Sequence, residues 1–139
     1  MPSFRIFDIA GSGMLAQTTR LNLVASNLSN AETVSSSMEA TYKSRQPVFA
    51  THLQTARNDM NAGVGVRVAG VVESKMPLRM EYMPNHPKAD ENGYIFKPNV
   101  DPMEEITNMM SASRSYQDDA QVINTAKQLM QQTLKMGQG

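Results

Sequence analysis

The chain has 139 residues, 13 basic and 13 acidic, and no cysteine. Length alone argues for one domain, neutrality removes the positive field that draws phosphate backbones, and the missing sulfur excludes disulfides, thiolate nucleophiles and thiolate metal sites. Aromatics make up 6 % and tryptophan is absent, while 12 methionines spread soft apolar bulk along the whole length.

Arg5 and Asp8 interrupt the first apolar run, so no signal-peptide core of the usual length can be drawn there. No stretch approaches the ~20 apolar residues of a membrane span, and by these signals alone the product stays in the cytosol. Phe7, Ala10, Met14, Gln17, Leu21, Val24, Leu28 and Ala31 recur at steps of three and four, with Ile9, Ala16 and Leu23 on a neighbouring edge. This is a heptad stripe, and it predicts a helix over about residues 5 to 31. Gly11 and Gly13 each cost up to ~1 kcal/mol against alanine, which predicts fraying or bending in the first turns. Residues 1–33 hold only Arg5, Arg20, Asp8 and Glu32 as charges, a composition suited to a helix covered by several neighbours.

From residue 34 to 100 the pattern changes. Five of the seven prolines lie here, and short alternations replace the longer period. Gly63 to Val72 reads as a strand with Val64, Val66 and Val68 on one face and a phase slip near Gly70 that marks a bulge. Leu78, Met80 and Tyr82 make a second alternation and Tyr94 to Lys97 a third, with Pro84 to Pro87 in the turn between them. Tyr42 to Phe49 reads as extended, its pairing limited by Pro47. Together these segments predict a small antiparallel β unit.

The last element opens on Asp101-Pro102-Met103-Glu104, a capping oxygen followed by proline at the first helical position. Ile106, Met109, Ser113, Tyr116, Ala120, Ile123, Lys127, Met130 and Leu134 repeat at three and four, Val122, Ala126, Leu129 and Met136 widen the face, and Gly137 supplies the stop. A helix from 102 to 136 is ~52 Å long, against a diameter of roughly 37 Å for a compact globule of this mass. Its apolar edges therefore need cover that one partner helix cannot give. The fold class expected is α+β: paired terminal helices over 1–33 and 101–139, with a β-rich middle over 34–100. Met14, Leu21, Val24, Leu28, Ile106, Met109, Met110, Tyr116, Ile123, Met130 and Leu134 are the candidate subunit-packing residues.

Catalytic ingredients are scarce. His52 and His86 lack metal-pair spacing, and no cofactor is implied. Gly11-Ser12-Gly13 has no nucleophile-elbow frame, and Gly63-Val64-Gly65 leads into a strand without a following Lys-Ser/Thr. Glu104/Glu105, Asp118/Asp119 and Asp90/Glu91 are sequence neighbours that diverge on a helix, so the first pair reads as a cap, the second as a solvated or ion-paired face and the third as a turn. Arg114 either reaches a carboxylate on a neighbouring subunit or lies along its own helix. Asn22, Asn27 and Asn30 are candidates for polar pairing that fixes register.

Leu21-Asn22-Leu23-Val24-Ala25-Ser26-Asn27-Leu28-Ser29-Asn30-Ala31 and Met110-Ser111-Ala112-Ser113-Arg114-Ser115-Tyr116, flanking a β-rich middle, resemble the bacterial flagellar axial proteins of the rod and hook. The middle segment, Tyr82-Met83-Pro84-Asn85-His86-Pro87-Lys88-Ala89-Asp90, then Gly93-Tyr94 and Pro98-Asn99-Val100, is similar to that of the proximal-rod members. The family's first motif often runs through Thr to Gly-Tyr, whereas Thr33 here precedes Val34-Ser35-Ser36-Ser37. The resemblance implies a non-enzymatic structural subunit, exported unfolded through the flagellar type III apparatus without a cleaved signal, which would override the cytosolic expectation. It further implies helical assembly with copies of itself and other rod proteins near the export apparatus and MS ring, in a periplasmic shaft that transmits torque. Neither nucleic acid, small-molecule substrate nor membrane span belongs to that picture. Two other readings make different demands: a soluble helical adaptor of a secretion system needs an ordered carboxy-terminal helix, and a small hydrolase needs His86 and Asp90 free for chemistry.

Overall fold

The computed structural model describes residues 2–52 and 64–137. Helix α1 spans Pro2–Asn30 and helix α2 Pro102–Gly137; between them run strands β1 (Arg45–His52), β2 (Gly65–Glu73), β3 (Arg79–Tyr82) and β4 (Tyr94–Lys97). The strands form two separate antiparallel ribbons, β1 with β2 and β3 with β4.

α1 is continuous through Gly11 and Gly13, so the expected fraying does not occur. The reason for Gly13 is contact: a Cβ there would stand 2.5 Å from Asp119 Oδ2 of α2, so the glycine lets the two helices approach closely. Polar residues on α1 turn inward on their own backbone. Thr18, Thr19 and Ser29 donate to the carbonyls of Met14, Leu15 and Ala25, which leaves few unmet polar groups on a surface with almost no charge. The helix closes where Thr33 Oγ1 donates to the Asn30 carbonyl at 2.7 Å.

α2 begins as its sequence indicates. Asp101 Oδ1 accepts from the backbone amides of Met103 at 2.9 Å and Glu104 at 3.4 Å, satisfying two of the donors a helix start leaves open.

In the first ribbon Val48 pairs with Gly70 and Phe49 with Val68, so Ala69 is the extra residue of a bulge beside the glycine where the alternation slips. Pro47 pairs with Val71 inside β1. A two-stranded ribbon leaves one edge of each strand open, and a proline whose missing donor points outward interrupts nothing. Gly63, where the alternation starts, lies outside the described residues. The ribbon runs against α1 through both strands, and the Val66 amide donates to Ser12 Oγ at 3.0 Å.

The second ribbon carries the densest part of the core. Ile95, Phe96, Pro98 and Val100 are buried together with Ala31 at the end of α1. Ser35 and Phe96 exchange two backbone hydrogen bonds at 3.0 Å, which ties the segment after α1 to β4.

Candidate assembly surface

The two helices are antiparallel. Gly13 meets Asp119, Arg20 Nη2 donates to Asn108 Oδ1 at 3.2 Å, and Asn27 lies beside Glu105. The seam between them is made of small and polar side chains at seven-residue intervals. On α1 it runs through Ala10, Gln17, Val24 and Ala31, with Gly13, Arg20 and Asn27 on the adjoining row; on α2 it runs through Glu105, Ala112, Asp119 and Ala126. Two buried seam oxygens, Gln17 Oε1 and Glu105 Oε2, have no hydrogen-bond partner among the described residues.

Of the candidate packing residues, Val24 is buried and Met14, Leu21, Leu28, Met109, Ile123 and Met130 are half-buried along the seam. Ile106, Met110, Tyr116 and Leu134 are exposed. Met103 (71 %) and Met136 (76 %) are exposed as well, with Val122 and Leu129. At 3.6 residues per turn these side chains do not share one stripe: Met103, Ile106 and Met110 lie on one side of α2 and Val122, Leu129 and Met136 on another, roughly 100° round the helix. The stripe expected for α2 thus mixes several faces, one turned to α1 and the others bare. Leu21, Met109, Met110, Ser113, Arg114 and Gln117 line an open groove of about 430 Å³ between the helices.

Two acidic pairs stand differently from their sequence reading. Glu105 is 3 % exposed and sits in the seam, not in a solvated cap. Burial pushes its carboxyl above the usual range; the Asn27 amide opposes this, Glu104 adds to it and Arg20 opposes it. Asp119 faces Gly13 across the seam, and burial, then the neighbouring Asp118, raises its carboxyl as well. The signal that could have found both is the heptad of Glu105, Ala112, Asp119 and Ala126, hidden because a small-residue row carries little hydropathy.

Asn22 is exposed, and Asn30 donates to the Ser26 carbonyl of its own helix at 2.8 Å. Asn27 is buried at a joint. Its Oδ1 accepts from the Tyr42 hydroxyl at 2.8 Å and the Arg45 amide at 3.0 Å, and its Nδ2 donates to the Arg45 carbonyl at 2.9 Å and Ser44 Oγ at 3.4 Å. The Ser44 amide in turn donates to Asn99 Oδ1 at 2.8 Å, while Asn99 Nδ2 donates to the Met76 carbonyl at 2.9 Å. Ser44 is therefore held between two asparagines 72 positions apart, and the end of α1, the first ribbon and the strand leading into α2 meet there. Arg79 adds a further tie, donating to the carbonyls of Pro98 and Val100 at 3.2 and 3.3 Å.

The segment from Pro84 to Tyr94 is a compact turn. Asp90 Oδ1 accepts from the amides of Asn92 at 2.9 Å and Tyr94 at 2.7 Å, and His86 Nδ1 accepts from the Lys88 amide at 3.1 Å, with Pro87 between them. Gly93 has φ +82°, and a Cβ on it would stand 2.9 Å from Tyr82 Cε2 and 3.1 Å from Pro84 Cβ. Tyr82 and Tyr94 close the hairpin edge to face, with ring centroids 5.3 Å apart. Lys88 Nζ reaches the Val34 carbonyl at 3.1 Å and fastens the turn to the end of α1. His86 Nδ1 and Asp90 Oδ1 are thus spent on local backbone.

Most of both helices, with Asn27 and Asn99 of the joint between them, falls in regions shared with flagellar proteins. A family model described as flagella basal body rod protein matches residues 7–34, and one described as flagellar basal body rod FlgEFG protein C-terminal matches residues 91–136. These matches define a class, the flagellar basal-body rod proteins. Within it, the chain is similar to the flagellar basal-body rod protein FlgC of Salmonella typhimurium, at 46 % identity over 99 % of this chain and 100 % of that one. It is also similar to FlgC of Yersinia enterocolitica, at 44 % identity over the same shares, and to FlgC of Borreliella burgdorferi, at 32 % over all of both chains. The chain belongs to the FlgC family of flagellar basal-body rod proteins. Among the described residues, no helix is long and apolar enough to cross a membrane.

Proposed function

We propose that the chain is a structural subunit of the bacterial flagellar rod, assembling with copies of itself and with other rod proteins and doing no catalysis. The observation that carries this reading is the apolar exposure of α2: Met103, Ile106, Met110, Val122, Leu129, Leu134 and Met136 are bare on several sides of a helix whose inner face already has a partner. Single exposed apolar residues are ordinary, but seven large ones on one helix, on more than one side, mark contact surfaces for several neighbours. A contact of this kind that joins unlike surfaces and does not close on itself extends as a helical array. Lateral packing through both terminal helices, with the ribbons outside, makes a rigid shaft that can carry torque. Export through the flagellar type III apparatus, a periplasmic position and proximity to the MS ring belong to the same reading, and family membership supports them.

The seam also supports it. Small residues bring the helices close but bury little apolar area, so the lone subunit gains little to offset ~1–2 kcal/mol of backbone entropy per ordered residue. The test is amide exchange on the dilute, full-length chain. Fast exchange over most of 2–26 and 106–137, slowing on assembly, is the expected result. Slow exchange across 102–136 in the monomer would instead fit an adaptor and overturn the rod reading.

A further inference from the structure

An asparagine followed by glycine carries a latent reaction of its own. The backbone nitrogen of the glycine attacks the side-chain carbonyl carbon of the asparagine; a nitrogen–carbon bond forms, ammonia leaves with the amide proton, and a five-membered imide remains. Water then opens the imide at one of its two carbonyls. One opening gives aspartate, and the other gives isoaspartate, in which the backbone runs through the side chain and is longer by one methylene. Glycine favours the attack because no Cβ shields its nitrogen. The sequence holds one such pair, Asn92-Gly93.

Asn92 is exposed, so its side-chain amide stands open to water. The nucleophile does not. Gly93 is buried, its amide donates to the Asp90 carbonyl at 3.0 Å, and its carbonyl accepts from the Met83 amide at 2.9 Å. Asp90 locks the same turn from its other side: Oδ1 takes the amides of Asn92 and Tyr94, and its own amide donates to the Tyr94 carbonyl at 2.8 Å. Ring closure needs the Gly93 nitrogen about 3 Å from the Asn92 carbonyl carbon and aligned on it, which means rotating the peptide between them. Here that rotation breaks the bond to Asp90. It also moves a residue packed so closely that a Cβ on it would stand 2.9 Å from Tyr82 and 3.1 Å from Pro84.

We infer that Asn92-Gly93 is a deamidation site gated by folding: closed while the β3–β4 hairpin stands, open in an extended chain, and incompatible with the hairpin once isoaspartate has formed. The extra methylene lengthens a turn that Asp90 closes with hydrogen bonds on both sides, and the new carboxylate adjoins those of Asp90 and Glu91. Without that turn Lys88 loses its hold on the Val34 carbonyl, and the second ribbon its tie to the end of α1. A chain that waits unfolded therefore acquires a lesion that bars it from the folded population, whereas a folded chain is spared. The gate belongs to the hairpin and holds whatever the protein assembles with.

The test follows isoaspartate at residue 92, by chromatography and mass spectrometry of the peptide that carries it, in the full-length chain aged at mildly alkaline pH with and without guanidinium chloride. Formation should be at least about tenfold slower in native buffer, because it then waits on local opening of the hairpin. Asp90→Ala, aged in native buffer, should approach the denatured rate, while Asp90→Asn, which keeps an acceptor oxygen, should stay slow. The unaltered chain in the two buffers decides the gate even where Asp90→Ala fails to fold. Equal rates in the two buffers, or Asp90→Ala and Asp90→Asn that age alike, overturn it. After ageing in denaturant and return to native buffer, chains with isoaspartate should be cut by trypsin at Arg79 and Lys88, and unmodified chains in the same sample should resist there. Equal resistance overturns the claim that the lesion blocks the hairpin.

Discussion

The two faces of α2 use opposite materials. The face turned to α1 centres on Glu105, Ala112, Asp119 and Ala126, with Met109, Ile123 and Met130 half-buried beside them, while Met103, Ile106, Met110, Val122, Leu129 and Met136 stand bare on the other sides. In an ordinary soluble helix most of the large apolar residues would be inside. The contrast teaches that small and polar residues set how closely the two helices pair, while much of the apolar surface of α2 stays uncovered within the subunit.

Breaking the joint at Asn27 should do most to the subunit itself. Asn27→Ala removes the partner of both the Arg45 amide and the Arg45 carbonyl and leaves the Tyr42 hydroxyl with Ser26 alone, and a loss of ~3 kcal/mol in urea unfolding is expected. Next is Gly93→Ala, which puts a Cβ against Tyr82 and Pro84 at a left-handed φ, for about 2 kcal/mol by the same measurement. Both changes should leave the exposed apolar residues of α2 unaltered yet misplace the helix that bears them.

The seam gives smaller effects with defined signs. Glu105 has its carboxyl raised in the folded chain, so the protonated form is favoured there. Its contribution is complete below the ordinary carboxyl range and declines as pH rises through the raised value, leaving a cost at neutral pH. Glu105→Gln should therefore increase helical signal at pH 7, leave it nearly unchanged at pH 4, and flatten the dependence between. At Gly13, alanine gains up to ~1 kcal/mol of helix propensity only if Asp119 makes room. Gly13→Ala should be near neutral alone and stabilising in the Asp119→Ala background, a coupling that a double-mutant cycle on helix melting reads. At the bottom of the scale, Leu129→Glu on the bare face should move the helical signal of the isolated chain by less than ~0.5 kcal/mol while preventing its assembly.

Local features are legible in the sequence. The Asp101 cap, the bulge beside Gly70 and the hairpin turn around Pro84 each depend on a few adjacent residues with a fixed conformational preference. The phase of α2 is not legible, because its apolar residues spread over so much of the circumference that Ile106 and Met109 fit one stripe equally well. Asn27 stands out as a residue for pairing, but its partners at Tyr42, Ser44 and Arg45 follow from a chain reversal that no period announces. Glu105 reads as a cap because carboxylates belong in a first turn, and nothing local marks the one that another helix will cover.

The joint at Ser44 bears on timing. It is completed by Asn99, and the inner face of α1 finds its match only in residues 105–130, so α1 has the first ribbon alone to pack on until nearly all of the molecule has arrived. In a polypeptide delivered amino end first, from a ribosome or through a pore, closure of these distant contacts is therefore the late, slow event.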